Sequence, residues 1–212
     1  LKVYDAIAND ATVDFFLDGD ENGEFVMDAE ATAAYEARVA DAENKITFKL
    51  STDPATQCDA VKFVSTTETE VPTALKFGTA TPVKFAGLWK YSDSKTFDYI
   101  ASLEVVEGAT MTMTNMITAT ATNPATTAIT NNGTVNISGA TTLKLNMTNN
   151  GVIDIPVGAE FLMNGAELTN NATSLEVYGK IDNAGSLGVQ SNTSGKINNY
   201  GYITQKNADA YT

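Results

Sequence analysis

The strongest constraint on the fold is a series of short apolar alternations, two residues apart, through the second half of the chain. They are Val135 and Ile137, Leu143 and Leu145, Ile153 and Ile155, Phe161 and Met163, Leu175 and Val177, and Leu187 and Val189. Period two turns one side of an extended segment toward a core and the other toward water, so each pair marks a short strand. Asn and Gly stand between them, as in Asn132-Gly133-Thr134-Val135, Asn150-Gly151-Val152-Ile153, Gly179-Lys180-Ile181-Asp182-Asn183 and Gly195-Lys196-Ile197-Asn198-Asn199. Both residue types tolerate the left-handed conformation that sharp corners require. Strand, corner and strand in repetition keep a chain turning one way, and stacked rungs result. Gly179 to Gly195 and Gly185 to Gly201 each span 16 residues, the mark of an imperfect internal repeat.

The first half reads differently. From Asp28 the run 29–43 is rich in Ala, with Asp28 placed as N-cap and acidic groups near the positive helix end. Tyr35, Val39 and Ala42 share one face of that helix, a narrow stripe suited to covering something. Past Asn44, Ile46-Thr47-Phe48-Lys49-Leu50, Val61-Lys62-Phe63-Val64, Leu75-Lys76-Phe77 and Val83-Lys84-Phe85 predict four strands.

Composition removes several classes of chemistry. The chain has 212 residues and no histidine, so no Ser-His-Asp triad, Cys-His pair or imidazole base arises within it. One cysteine, Cys58, makes neither a disulfide nor a redox pair and reads as a small buried residue. A net charge of -13 argues against nucleic acid and anionic membrane surfaces, and no apolar run is long enough to span a bilayer. The charge is concentrated in front: residues 1–60 hold 14 acidic and 4 basic side chains. Residues 108–212 hold 18 Thr, 16 Asn and 11 Gly, yet their apolar alternation separates them from low-complexity sequence.

These residues carry a resemblance. An Ala-rich helix followed by Lys45-Ile46-Thr47-Phe48-Lys49-Leu50, then Val105-Val106-Glu107-Gly108-Ala109-Thr110-Met111-Thr112-Met113 and Gly179-Lys180-Ile181-Asp182-Asn183-Ala184-Gly185, resembles the parallel β-helix proteins of bacterial surfaces. These include pectate-lyase-like and filamentous-haemagglutinin-like solenoids, and the resemblance covers about residues 29 to 204. It implies a mainly β fold, a single-stranded parallel β-helix with an N-terminal capping helix. Residues 1–45 would form a hairpin and the cap, and residues 46–212 the solenoid, continuing beyond Thr212. The alternative is an antiparallel sandwich over residues 1–100 followed by a shorter solenoid. The resemblance further implies an extracellular or cell-surface setting and glycan or surface-protein partners; the strand pattern running to Tyr202-Ile203-Thr204 with no closing helix after it leaves an open last rung, met by a continuing chain or, alternatively, by end-to-end self-association.

The residues offer few candidates for chemistry. Asp18-Gly19-Asp20-Glu21-Asn22-Gly23-Glu24 places oxygen-bearing side chains at alternate positions around a glycine turn, with Asp18, Asp20, Asn22 and Glu24 as possible Ca2+ ligands. The position that should close the shell is Ala29, so the competing reading is an acidic hairpin tip joining Phe15–Leu17 to Phe25–Met27. Trp89 with Tyr91 and Tyr200 with Tyr202 lie two apart and could present rings to sugars, though the first pair reads better as core. Thr110, Thr112 and Thr114 alternate as a polar row, and stacked Asn side chains at corners can satisfy one another. Asp154 and Asp182 are the only Asp of residues 108–208; on neighbouring rungs they could meet as a glycosidase-type pair, and the favoured reading is two solvated charges. The lyase and polygalacturonase motifs of β-helix enzymes are absent, so no catalytic residue is assigned. The expected function is a non-catalytic adhesin-like stalk or a glycan- or protein-binding surface, the alternative a polysaccharide lyase, a glycosidase or an accessory module.

Overall fold

A computed structural model describes residues 12–40, 45–122, 128–163, 166–172, 175–177, 180–183, 186–189, 197–199 and 202–205. Among them, seventeen strands belong to one wound sheet and two, Thr12–Leu17 and Lys45–Leu50, form a small second sheet. Every pairing is parallel, which makes the molecule a β-solenoid with one short helix near its N-terminus and excludes the antiparallel sandwich. Parallel pairing demands a crossover between partners. Here the crossover is the remainder of each rung.

Register sets the core. On the first face Val61, Val83, Leu103, Ile129, Met147 and Leu168 lie in line, and Met27, Phe63, Phe85 and Val105 form the adjoining inward row. Trp89, Met111, Val135 and Ile153 line the second face, and Ile117, Leu143 and Met163 the third. All of these are buried. The intervening residues, such as Lys62, Lys84, Thr112 and Thr148, are only partly buried, as period-two alternation requires. Asp154 belongs to strand Val152–Ile155 and Asp182 to strand Lys180–Asn183, on different faces. Asp154 is in register with Asn136 and Glu176, and Asp182 with Leu162 and Thr204, so the two Asp are not partners of each other.

The rung length is not constant. Asn131 and Asn149 face each other across 18 residues, Asn149 and Asn170 across 21. Ile181 faces Ile203 across 22, so the 16-residue glycine spacing is not the rung repeat. Those glycines lie outside the described residues.

The helix Ala29–Ala40 starts as expected: Asp28 Oδ1 accepts from the Ala31 amide at 2.9 Å. It is amphipathic only narrowly, and Tyr35 is its deep anchor, wholly buried among Phe48, Phe63 and Phe77 at ring distances of 5.2, 5.9 and 5.7 Å. The Tyr35 hydroxyl accepts from the Lys76 amide at 2.7 Å. It thus supplies what a preceding strand would have supplied to strand Ala74–Ser92. The helix packs on the first rungs and meets the strand backbone at Lys76.

One residue of the cap is poorly used. Thr32 is buried in the helix, and its hydroxyl has no hydrogen-bond partner among the described residues. Thr32→Val keeps the branched shape and removes that unpaired oxygen. It is expected to raise unfolding stability by about 0.5–1.5 kcal/mol, read from urea denaturation.

Candidate functional surface

The acidic loop lies between strands Thr12–Leu17 and Glu24–Met27, but those strands do not pair with each other. Thr12–Leu17 pairs with Lys45–Leu50 and Glu24–Met27 with Ala60–Glu70, both parallel. The expected hairpin is therefore absent: each strand takes a distant parallel partner, and the loop bridges two sheets. Asp20 organises it, its Oδ1 accepting from the Asn22 and Glu24 amides at 2.8 and 3.0 Å. Those two amides, Glu24 first, hold the Asp20 carboxyl below the usual carboxylate range.

Glu24 turns away from the loop. Its carboxylate accepts from Lys84 at 2.7 Å and from Lys62 at 3.0 Å, and these lysines are register partners on adjacent rungs. Lys84 foremost, against a smaller cost of burial, depresses the Glu24 carboxyl. Asp18 is exposed at the loop entrance and Asn22 at its tip. Among the described residues no group of three or more Cys, Asp or Glu gathers as a metal site requires. Asp20 thus binds the loop's own amides and Glu24 two ammonium groups.

This triad has a pH signature. A carboxyl whose folded pKa lies below its unfolded value stabilises fully above the unfolded pKa and loses that contribution as pH falls through the folded pKa. The melting temperature is accordingly expected to drop on acidification below about pH 4.5, the ordinary Glu value. Glu24→Gln should flatten that part of the profile, and also the alkaline limb, because the Glu24 carboxylate is what chiefly raises the Lys84 ammonium.

A second ion pair lies deeper. Lys95 is 5% exposed and donates to Glu70 Oε1 at 2.7 Å, with its ammonium 5.6 Å from the Tyr91 ring centre. Burial pushes the Glu70 carboxyl up, and Lys95 with the Ser92 amide outweighs this to bring it below its usual range.

The aromatic candidates are placed unambiguously where they are described. Trp89 is 1% exposed, stacked edge-on against Phe85 at 5.0 Å, with its indole N–H donating to the Ala86 carbonyl. Tyr91 is fully buried and its hydroxyl donates to the Thr118 carbonyl at 2.9 Å. Neither ring is available to a sugar, because both point inward and their polar ends are tied to backbone. Tyr202 belongs to strand Tyr202–Gln205, and Tyr200 lies outside the described residues.

The stacked corner asparagines expected from the sequence form a ladder, and what the sequence reading did not supply is which residues build it. Ile129-Thr130-Asn131-Asn132-Gly133, Met147-Thr148-Asn149-Asn150-Gly151 and Leu168-Thr169-Asn170-Asn171-Ala172 are one corner sequence on three successive rungs. The first Asn of each is fully buried. Asn131 Nδ2 donates to Asn149 Oδ1, and Asn149 Nδ2 to Asn170 Oδ1, both at 2.7 Å. The second Asn of each forms an outer row: Asn171 Nδ2 donates to Asn150 Oδ1 at 3.0 Å, Asn150 Nδ2 to Asn132 Oδ1 at 2.8 Å, and Asn132 Nδ2 to Glu104 Oε1 at 2.6 Å. The inner row donates toward the C-terminus, the outer row toward the N-terminus. A Cβ at Gly151 would collide with the Gly133 carbonyl oxygen, so these corners pack backbone on backbone. Inner amides also serve the turn itself, the Gly133 amide donating to Asn131 Oδ1 at 3.1 Å, and reach the next rung, Asn131 Nδ2 donating to the Val152 carbonyl at 2.8 Å.

Outside the ladder, Thr130, Thr148 and Thr169 make a straight partly exposed row on the first face, and Thr110, Thr112 and Thr114 lie in register with Thr134, Asn136 and Ser138 on the second. Exposed large apolar residues, Phe16, Leu88, Met116, Val152 and Val157 among them, are scattered over different strands and turns. No protein-family model, curated protein or solved structure matches the chain.

Proposed function

We propose that this chain is a non-catalytic solenoid segment of an extracellular or cell-surface protein, acting as an adhesin-like stalk or as a surface that binds glycans or proteins. The observation that supports this reading is where the hydrogen bonding goes. The buried Asn row, the Lys62–Glu24–Lys84 triad and the Lys95–Glu70 pair all hold one rung to the next or one layer to another. Groups locked in this way stiffen a rod, and they are unsuited to moving protons on a substrate. The outward rows of Thr, Ser and Asn give flat polar faces fit for wet, hydroxyl-rich contacts.

Glycan-array screening together with polysaccharide-cleavage assays tests the reading. Binding without cleavage is the expected result, and turnover of any polysaccharide would overturn the non-catalytic assignment. Cell fractionation tests the location: recovery free in the cytosol would sink it. End-to-end association belongs to the same proposal. It should appear as concentration-dependent sedimentation that Ile203→Lys, on strand Tyr202–Gln205, suppresses.

A further inference from the structure

Asn-Gly is the dipeptide in which a backbone nitrogen most readily reaches the preceding side chain, because glycine has no Cβ in the way. The chain has four: Asn22-Gly23, Asn132-Gly133, Asn150-Gly151 and Asn164-Gly165, the last outside the described residues. The other three differ sharply in how they are held.

At Asn132 both side-chain heteroatoms are engaged, Nδ2 by Glu104 at 2.6 Å and Oδ1 by Asn150 at 2.8 Å, while the Gly133 nitrogen donates to Asn131 Oδ1. At Asn150 the amide is held by Asn132 on one side and Asn171 on the other, and the Gly151 nitrogen donates to the Asn131 carbonyl at 3.0 Å. Rotating either amide carbon toward its glycine nitrogen breaks bonds that cross between rungs. Asn22 is exposed at the tip of the acidic loop, with its side chain leaning on Asp20 of the same turn. The Gly23 nitrogen is held by one bond, to the Asp20 carbonyl at 2.9 Å. Surface turns open at far lower free energy than core elements.

We propose that Asn22 is a site of spontaneous deamidation and isoaspartate formation, and that the two asparagine rows keep Asn132 and Asn150 intact. The Gly23 nitrogen gives its proton to solvent and attacks Asn22 Cγ. The new N–Cγ bond forms as Cγ–Nδ2 breaks, and ammonia leaves with a proton from water. Water then opens the five-membered succinimide at either carbonyl, giving aspartate or isoaspartate, with no change in oxidation state. The product adds a negative charge beside Asp18, Asp20 and Glu21. The isoaspartate form also lengthens the backbone next to Gly23, whose carbonyl accepts from the Asp59 amide at 2.6 Å and ties the loop to the first rung.

The test is peptide mapping by mass spectrometry of folded protein aged at mildly alkaline pH, with isoaspartate methyltransferase labelling. Asn22 is expected to convert at least about ten-fold faster than Asn132 or Asn150, and the three rates to converge in urea, where local opening no longer ranks them. Equal rates in the folded protein, or Asn132 converting first, would overturn the proposal. Glu104→Ala removes an outer partner of Asn132 without touching the core. It should speed conversion at Asn132 several-fold, as expected from local opening, with Asn22 unchanged. An unaltered Asn132 rate would refute protection by the ladder.

Discussion

Asn149→Ala is expected to lower unfolding stability by about 3–4 kcal/mol, against about 0.5–1 kcal/mol for Asn150→Ala one residue away. The two side chains are the same amide in neighbouring rows, and burial makes the difference. Asn149 is wholly buried, and its loss leaves Asn170 Oδ1 without its 2.7 Å donor and the Gly151 carbonyl without its contact at 3.3 Å. No water replaces those bonds in a packed interior, so the full desolvation cost appears, together with that of the cavity. Asn150 is exposed, and water takes over when its amide is removed. Asn149→Asp should be worse than Ala, because a buried carboxylate would face Asn170 Oδ1 with no proton to give. Urea denaturation of the three variants checks the order, and equal losses at 149 and 150 would remove the case for a structural inner row.

Tyr35→Ala carries the other large effect, a loss of about 4–6 kcal/mol, of which the ring supplies about 3–5 and the hydroxyl the rest. Tyr35→Phe separates the two contributions. It keeps the packing against Phe48, Phe63 and Phe77 and removes only the hydroxyl's bonds to the Lys76 backbone, from its amide at 2.7 Å and to its carbonyl at 3.4 Å, so about 1–2 kcal/mol is expected. The alanine variant should also self-associate, since the helix loses its anchor on the first rungs. Light scattering during refolding reads this directly. A monomeric, equally stable Tyr35→Ala protein would mean that the helix is an ornament on a solenoid that closes itself.

Much of this architecture is legible in the chain, and the failures share a cause. The Asp28 cap and the Ala-rich run announce the helix because capping is a local interaction. Period two announces the strands for the same reason. It does not by itself say which of the two sides faces the core; Trp89 and Tyr91 read better as core, and both are buried, the indole against Phe63 and Phe85. The hairpin at Asp18–Glu24 follows from closeness in sequence, yet Phe25 pairs with Val61 and Phe15 with Phe48. The stacking of corner Asn side chains was legible, but not which asparagines stack, because their spacings of 18 and 21 residues defeat a search for one period. The shared tetrad of apolar residue, Thr, Asn and Asn was the available signal.

The opposed sense of the two asparagine rows has an electrostatic consequence. A side-chain amide is a sizeable dipole, and a stack of them all pointing one way would sum along the axis, as peptide dipoles do in a helix. Each added rung would then raise the field at the ends of the stack. Here every buried amide that points up the axis has a neighbour, one residue on, that points down it. The pair cancels rung by rung, so a corner built from two consecutive asparagines can be copied along a solenoid without accumulating charge at its ends.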